Sequence, residues 1–128
     1  MVDPGWTREE SPFHKGEIAI HTRFGTQERV ERQGRRFIRD YLTQQHQEFF
    51  ANLAYLIVGT VDDAGNPWAS ILVGEPGFIS PLSDRSMGIT AKILPGDPLA
   101  ITLAAGIDIG LLGIELSNRR RNRLNGVV

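Results

Sequence analysis

A run of arginines near residue 120 is the segment whose residue types and spacing point most directly to binding chemistry. Arg119, Arg120, Arg121 and Arg123 follow one another, with one asparagine before the last. If the run is a β-strand, alternation places Arg119, Arg121 and Arg123 on one face. Residues two apart in a strand lie roughly 6.5 Å from each other, so two guanidinium groups can converge on one phosphate and bind it bidentately. Spacing alone fits a solvated edge strand somewhat better, because such charges discourage aggregation.

A second candidate surface is a predicted strand that carries Ser70 and Leu72 on one face. Trp68 joins them if the strand starts early enough. A flat aromatic ligand needs an apolar wall with hydroxyl and backbone donors, and a neighbouring strand can supply the rest of it. That strand contributes Ile89, Thr90 and Ala91. The same residues also suit an ordinary barrel interior, and spacing does not separate the two interpretations.

The third candidate is the start of a predicted helix at Asp97 and Pro98. Asp97 is suited to cap the helix, Pro98 to its first position, and Gly106 lies just past its end. Free backbone N–H groups at a helix start favour anions. The Asp97 carboxylate competes for those donors, so this segment alone indicates a well-formed helix start and no more.

Other familiar chemistry is missing from the sequence. There is no G-x-S-x-G elbow, no phosphate-binding loop ending in Gly-Lys-Ser/Thr, and no G-x-G-x-x-G motif. The chain has no cysteine, which excludes disulfides, thiolate nucleophiles, sulfur-ligated zinc and iron–sulfur clusters. His14, His21 and His46 stand at spacings unlike those of a metal site. We interpret them as ordinary surface or partly buried residues and expect no metal centre.

The elements that must position these groups follow from hydrophobic periodicity. Predicted helices cover residues 13–24, 26–33 and 44–54, with a short turn or helix at 35–41. From residue 55 the pattern changes, and the turn sequence DDAGN predicts a β-hairpin. Predicted strands cover residues 55–62, 67–74, 87–91, 107–116 and 117–128, and residues 77–80 are expected to be extended. One short helix, capped by Asp97 and starting at Pro98, lies between the third and fourth strands.

This order predicts a mainly β fold of the α+β class. Most connections are too short for parallel crossovers, so the sheet should be largely antiparallel. Glycines at positions 59, 74, 88, 110 and 113 suit a small, strongly curved barrel. We therefore expect one domain over residues 1–128, with a helical segment (1–54) before a barrel core (55–128). Because the sequence stops within a predicted strand, we expect a fragment or a barrel that a partner completes.

Composition limits the classes of partner. The net charge is −1, so no overall field draws the chain to nucleic acid or to an anionic membrane. The first residues lack the basic start and apolar run of a secretory signal. No stretch approaches the roughly 18 apolar residues of a membrane span. These features predict a soluble, cytoplasmic protein.

Several segments, in this order, resemble a bacterial group of pyridoxamine 5′-phosphate oxidase-related, FMN-binding proteins. They are SPFHKGE, GRRFIRDY, QQHQEFF, LIVGTVDDAGNPWASILVGEPGF, PGDPLA, and IGLLGIEL followed by NRRRNRLNG. The likeness covers nearly the whole chain from Ser11 onward, and the order of the segments is more specific than any one of them. The resemblance implies a six-stranded split barrel and a homodimer with FMN at the subunit interface.

The family's binding residues carry over only in part. Its second hairpin strand supplies an arginine and a lysine to the phosphate, where this chain has Ser70 and Glu75. Thr90 resembles a hydroxyl-bearing position of the third strand, and Arg121 stands where the family has a glutamine. Residues 95–98 resemble the loop and helix start that follow, without the family's basic pair. From the strand faces and this resemblance together, we expect FMN to contact Ser70, Leu72, Ile89, Thr90, Ala91, Pro98, Arg121 and Arg123.

With this resemblance, ligand binding becomes the favoured interpretation of the arginine run, ahead of a solvated edge strand. Basic groups are lost from the hairpin, and we expect Arg121 and Arg123 to replace their charge at the phosphate. The residues with which the oxidase binds pyridoxal phosphate are not recognisable, so vitamin B6 oxidation is not expected. The substrate stays unidentified.

Three functions are compatible with these observations. The leading one is an FMN-dependent oxidoreductase, in which the flavin carries the redox chemistry and no dedicated acid–base residue is required. The alternative is a module that stores or senses flavin, or another planar cofactor such as a deazaflavin or haem, without turnover. An RNA-binding patch is the weakest, because the net charge is near neutral and no aromatic residue interrupts the arginines.

Overall fold

The computed structural model describes residues 3–128. Contacts divide the chain into two compact units, Met1–Leu42 and Thr43–Val128. The sequence analysis placed the change from helical segment to strand core at residue 54, within one predicted domain. The third helix therefore belongs to the same unit as the strands, where its aromatic residues form part of the core.

The first unit contains two helices, α1 (Lys15–Arg23) and α2 (Gln27–Phe37). His14 caps α1: its Nδ1 atom accepts from the Gly16 and Glu17 N–H groups, while the Glu17 carboxylate accepts from the His14 N–H. This reciprocal arrangement satisfies donors that a helix start leaves free. Gly25, with φ of 68°, separates the helices. Helix α2 continues past the predicted end at residue 33 and includes part of the segment predicted as a turn or short helix.

An ion pair and several hydrogen bonds connect the N-terminal segment of this unit to the end of α2 and the residues after it. The Arg39 Nε donates to Asp3 Oδ2 at 2.7 Å, and the Tyr41 hydroxyl donates to Asp3 Oδ1 at 2.9 Å. Arg35 bonds to Glu31 and to the backbone carbonyls of residues 8 and 9. Asp3 is thus held by two side chains that lie far from it in sequence.

The second unit contains helices α3 (Gln44–Ala51) and α4 (Leu99–Thr102) and six strands. Thr43 caps α3 by accepting from the His46 N–H at 3.3 Å, as the sequence predicts for a threonine at that position. The strands are β1 (Tyr55–Val61), β2 (Pro67–Val73), β3 (Ile79–Pro81), β4 (Met87–Ile89), β5 (Asp108–Glu115) and β6 (Arg120–Val127).

The strands form a four-stranded sheet in the order β2-β1-β5-β6 and a two-stranded sheet of β3 and β4, with antiparallel pairing throughout. The predicted α+β class, with a largely antiparallel sheet, N-terminal helices and one short helix between strands, is confirmed. The segment expected only to be extended supplies β3. Within residues 3–128 the strands do not close into a continuous ring.

The core of this unit lies between one face of the four-stranded sheet and the helix α3. Phe50, Leu53, Leu56 and Val58 are almost fully buried. At Gly113 of β5, a Cβ atom would lie 2.7 Å from Leu53 Cδ1 and 2.8 Å from Phe49 Cε1, so any larger residue would displace these side chains. The stripe of Phe49, Phe50 and Leu53 that the sequence predicts is therefore what packs on β5.

Several predicted elements are shorter than expected: β4 ends at Ile89 and α3 at Ala51, and β6 and α4 start later than predicted. Strand β6 begins at Arg120 and not at Ser117, because the preceding residues form the hairpin turn: Arg119 has φ of 61°, and Asn118 Oδ1 accepts from the Arg120 N–H. Helix α4 starts at Leu99 and has four residues. Leu103 is already extended, so the chain leaves the helix before Gly106. No helix in residues 3–128 is long and apolar enough to cross a membrane.

Candidate functional site

The two faces of the four-stranded sheet differ in what covers them. On the inner face, Leu56, Val58 and Leu111 are buried in the core. The outer face, defined here by the alternate residues, remains accessible, and Ile71 is 43% exposed there. A row of paired residues crosses this outer face, with Ile71, Ile57, Leu112 and Arg123 side by side on the four strands. The outer face is thus an accessible apolar surface that ends in an arginine.

The adjacent row on the outer face has almost no side chains at its centre. It consists of Ala69, Gly59, Gly110 and Asn125, each directly paired with the next. We call these four residues the glycine row. Because its two central members lack side chains, the row forms a half-buried strip of backbone across the sheet, bordered by the row that holds Ile57 and Leu112.

The two central glycines have no explanation in the packing of the chain itself. Both lie inside regular strands, and neither has the positive φ that would require glycine. A Cβ atom at Gly59 would come no closer than 3.8 Å to another atom, and one at Gly110 no closer than 3.6 Å. Glycine inside a strand weakens it and often marks close approach by a ligand or another backbone. Gly113, on the inner face, has a packing reason instead.

Arg121 and Arg123 lie on the outer face, as alternation predicts. They pair with Ile114 and Leu112 of β5, and both are exposed. Neither forms an ion pair within the described residues. Arg120 points to the opposite face, with its guanidinium carbon 5.5 Å from the Phe49 ring centroid. Two guanidinium groups without an ion pair thus lie on the same face as the glycine row, Arg123 in the adjacent row and Arg121 one row further along β6.

Ser70 and Leu72 do not lie on the outer face with Arg121 and Arg123. Both belong to the inner face of β2, where they are 5% and 8% exposed. The Ser70 hydroxyl donates to Asp97 Oδ1 at 2.6 Å. Since β2 and β6 are the two opposite edges of the sheet, these residues and the arginines differ in both face and edge. The expected wall of Ser70 and Leu72 is therefore core, because the alternation of β2 directs both side chains inward.

The remaining predicted residues lie at two further places. Ile89 ends β4 in the two-stranded sheet, and the N–H of exposed Thr90 donates to the Phe78 carbonyl at 2.8 Å. Ala91 follows in the loop. Pro98 precedes α4 and lines a surface cleft together with Trp68. One copy of the chain therefore brings Arg121 and Arg123 together, but not the full predicted set.

These positions allow a test of whether the chain fits FMN. The glycine row offers a flat surface for a planar ring, and the neighbouring isoleucine and leucine side chains offer apolar contact. Arg123 borders the same strip and Arg121 follows it along β6, which suits a phosphate that needs charge-assisted bonds. The outer face fits the cofactor, whereas Ser70 and Leu72 do not. The sequence analysis missed the glycine row, although the alternation in β1 and β5 already places Gly59 and Gly110 opposite the buried residues.

The histidines have structural contacts. His14 and His46 complete the capping boxes of α1 and α3, and His21 meets the Phe13 ring edge-on at 4.9 Å. Within the part of the chain that the structure describes, no group of three or more His, Cys, Asp or Glu side chains could hold a metal ion.

The chain matches no model of a protein family, no curated protein and no solved structure in the comparisons made with each. The geometry of the outer face and the resemblance described above are therefore what bear on its function.

Proposed function

We propose that this chain binds FMN on the outer face of the four-stranded sheet and acts as an FMN-dependent oxidoreductase. The observation that carries the proposal is the pair of strand glycines Gly59 and Gly110, whose Cβ positions are open, on the same face as Arg121 and Arg123, which form no ion pair within the described residues. The resemblance to pyridoxamine 5′-phosphate oxidase-related proteins supports the same cofactor. When bound, the flavin supplies hydride and electron transfer, and the protein supplies position and electrostatics.

In this proposal each part of the outer face has one task. The glycine row lets the ring approach the backbone, since no Cβ stands above it at its centre. Ile57 and Leu112 limit water beside the ring. Arg121 and Arg123 bind the phosphate through charge-assisted hydrogen bonds. FMN carries a phosphate that riboflavin lacks, so FMN should bind more tightly than riboflavin.

A second copy of the chain would complete the site. Val61, Ile71 and Val73 of the outer face are exposed by 43 to 64%, and contiguous apolar surface of this kind usually meets a partner. We therefore propose a homodimer with the cofactor at its interface, as the resemblance implies. The interface would also exclude water from one side of the ring.

The test is retention of flavin by the purified full chain, measured by visible absorbance after gel filtration. We expect FMN to be retained and the double variant Arg121→Ala/Arg123→Ala to bind it about 10–100-fold more weakly, the effect of losing two charge-assisted contacts. The variant should bind riboflavin as the parent does. Arg119→Gly is the matched control, because it removes one charge from the turn, where φ already suits glycine. Failure of the parent to retain FMN, or equal loss in the control, would refute the proposal.

A flavin-binding module without turnover is the second candidate. None of the eight residues in the glycine row and its neighbouring row is a carboxylic acid, histidine or lysine, so this surface shows no general acid or base. Oxidation of NADH or NADPH by the FMN-loaded protein, faster than by free FMN, would favour the enzyme. Tight binding without such turnover would favour the module.

A further inference from the structure

A surface cleft lies on the other side of the sheet, beside the β1–β2 hairpin. It is a cleft of about 380 Å³, lined by Asp62, Trp68, Asp97, Pro98 and Ile101 among others. Its volume is in the range of small-ligand sites, which are largely apolar with a few polar groups. None of its lining residues is a lysine, arginine or histidine.

The indole of Trp68 forms one wall and is held in place. It is 44% exposed, and its Nε1 donates to Asp62 Oδ2 at 3.0 Å. Asp62 is itself fixed, because its Oδ1 accepts from the N–H groups of Ala64 and Asn66. A carboxylate bonded to the indole N–H also makes the ring more electron-rich, which strengthens its attraction for a cation.

Asp97 contributes a second carboxylate, and only one of its two oxygens accepts hydrogen bonds from the described residues. Its Oδ1 accepts both from Ser70 Oγ at 2.6 Å and from the Leu99 N–H at 2.8 Å. No donor among residues 3–128 bonds to its Oδ2. These bonds lower the pKa of Asp97, the Ser70 hydroxyl contributing most, and bonds from Trp68 and Asn66 lower that of Asp62. Both groups are therefore negative at neutral pH, and an anion is disfavoured here.

From this arrangement we infer that the cleft binds an organic cation, specifically an alkylammonium group. The aromatic wall of Trp68 attracts the positive charge, Asp97 Oδ2 accepts a hydrogen bond from it, and Pro98 and Ile101 contact the alkyl part. A bare metal ion suits the cleft less well, because hard cations require six or more oxygen ligands and the Asp62 oxygens already accept bonds. This site is separate from the outer face and does not depend on the proposed function.

Fluorescence of Trp68 provides the test. The chain has two tryptophans, so the variant Trp6→Phe leaves Trp68 as the only one. In this background we expect n-butylammonium chloride to change the emission with a saturable curve. Neither n-butanol nor sodium chloride at the same concentration should do so, because one lacks the charge and the other the alkyl group.

Variants then assign the effect to the cleft. Asp97→Asn should weaken binding about fivefold or more. It also alters the bond to Ser70, so Ile101→Lys, at a residue that is already exposed, places a competing cation in the cleft and should abolish saturation. Glu75→Gln is the matched control, an exposed carboxylate outside the cleft, and should leave binding unchanged. A linear response, an equal response to sodium chloride, or saturation that survives Ile101→Lys would overturn the inference.

Discussion

Gly59 of β1 lies directly opposite Gly110 of β5, and both are on the face of the sheet that carries Arg123. Gly113, three residues along β5 and on the other face, lies beneath Phe49 and Leu53. The same strand thus contains one glycine that the core requires and another that the core does not. Substitutions at the two glycines should therefore have different effects on stability and on flavin binding, and both effects can be measured.

Valine at Gly59 should preserve the fold and impair the binding of flavin. A strand position without positive φ and without near neighbours accepts a β-branched residue, so the free energy of unfolding in urea should be unchanged or rise by about 0.5–1 kcal/mol. FMN affinity, measured by fluorescence titration, should fall at least about tenfold, because the new side chain occupies the flat strip.

Gly113→Val is the control, and it should lower the unfolding free energy by about 1–3 kcal/mol through overpacking. A loss of stability in Gly59→Val as large as that in Gly113→Val would show that Gly59 serves the fold.

The buried hydroxyl pair of Thr60 and Thr102 should show strong coupling. Their Oγ1 atoms are 2.8 Å apart and both residues are buried. Thr60→Val alone leaves the Thr102 hydroxyl without its partner and should cost about 1–3 kcal/mol. The double variant, with valine at both positions, should recover most of that loss. A double-mutant cycle by urea denaturation measures this coupling, and simple additivity of the two single effects would contradict it.

The hydrogen bond from Ser70 to Asp97 should make the free energy of unfolding depend on pH in the acid range. The pKa of Asp97 is lowered in the folded chain, mainly by the Ser70 hydroxyl. Such a carboxyl stabilises the fold above its unfolded pKa of about 3.9, and the contribution is lost as pH falls through the lower folded pKa. Ser70→Ala should raise the folded pKa of Asp97 and so reduce the gain in stability with rising pH in the acid range.

Carbon-13 NMR titration of the Asp97 carboxyl measures the pKa change directly. Ser80→Ala, at an exposed serine of β3, is the control and should leave the titration of Asp97 as it is. An unchanged Asp97 titration in Ser70→Ala would show that the hydroxyl is not its main partner.

In the first unit, Asp3 should control the ionisation of Tyr41. The hydrogen bond to Asp3 raises the pKa of the Tyr41 phenol, so this contact stabilises the fold below the unfolded pKa of about 10 and is lost as pH rises through the folded value. The chain has two tyrosines, so Tyr55→Phe isolates Tyr41. In that background Asp3→Asn should lower the phenol pKa, since Arg39 remains nearby, and tyrosinate absorbance against pH records it. A pKa that stays raised without the Asp3 carboxylate would contradict this assignment.

Local patterns in the sequence predicted much of the fold. The stripe of Phe49 and Phe50 identified α3 and its buried side. The turn around Gly65 identified the β1–β2 hairpin, and Gly65 indeed has φ of 85°. These features depend on residues a few positions apart, which is the range over which periodicity and turn chemistry act.

Long-range pairing explains what the sequence analysis missed. Alternation correctly put Arg121 and Arg123 on one face, but their separation from Ser70 depends on the strand order β2-β1-β5-β6, which no local pattern specifies. The turn at Arg119 was missed because a left-handed conformation is uncommon for arginine. The pairing of Gly59 with Gly110 likewise depends on the long-range register between β1 and β5.

The strand order also has a consequence for how the second unit assembles. β1 and β2 are joined by a short turn, as are β5 and β6, so each hairpin can form from neighbours in sequence. The ladder between β1 and β5 joins the hairpins through Ile57, Val58 and Gly59, paired with Leu112, Leu111 and Gly110. Closing this long loop is the slow kind of step in folding. Substitutions in the ladder should therefore slow folding, whereas those at the hairpin tips should mainly speed unfolding.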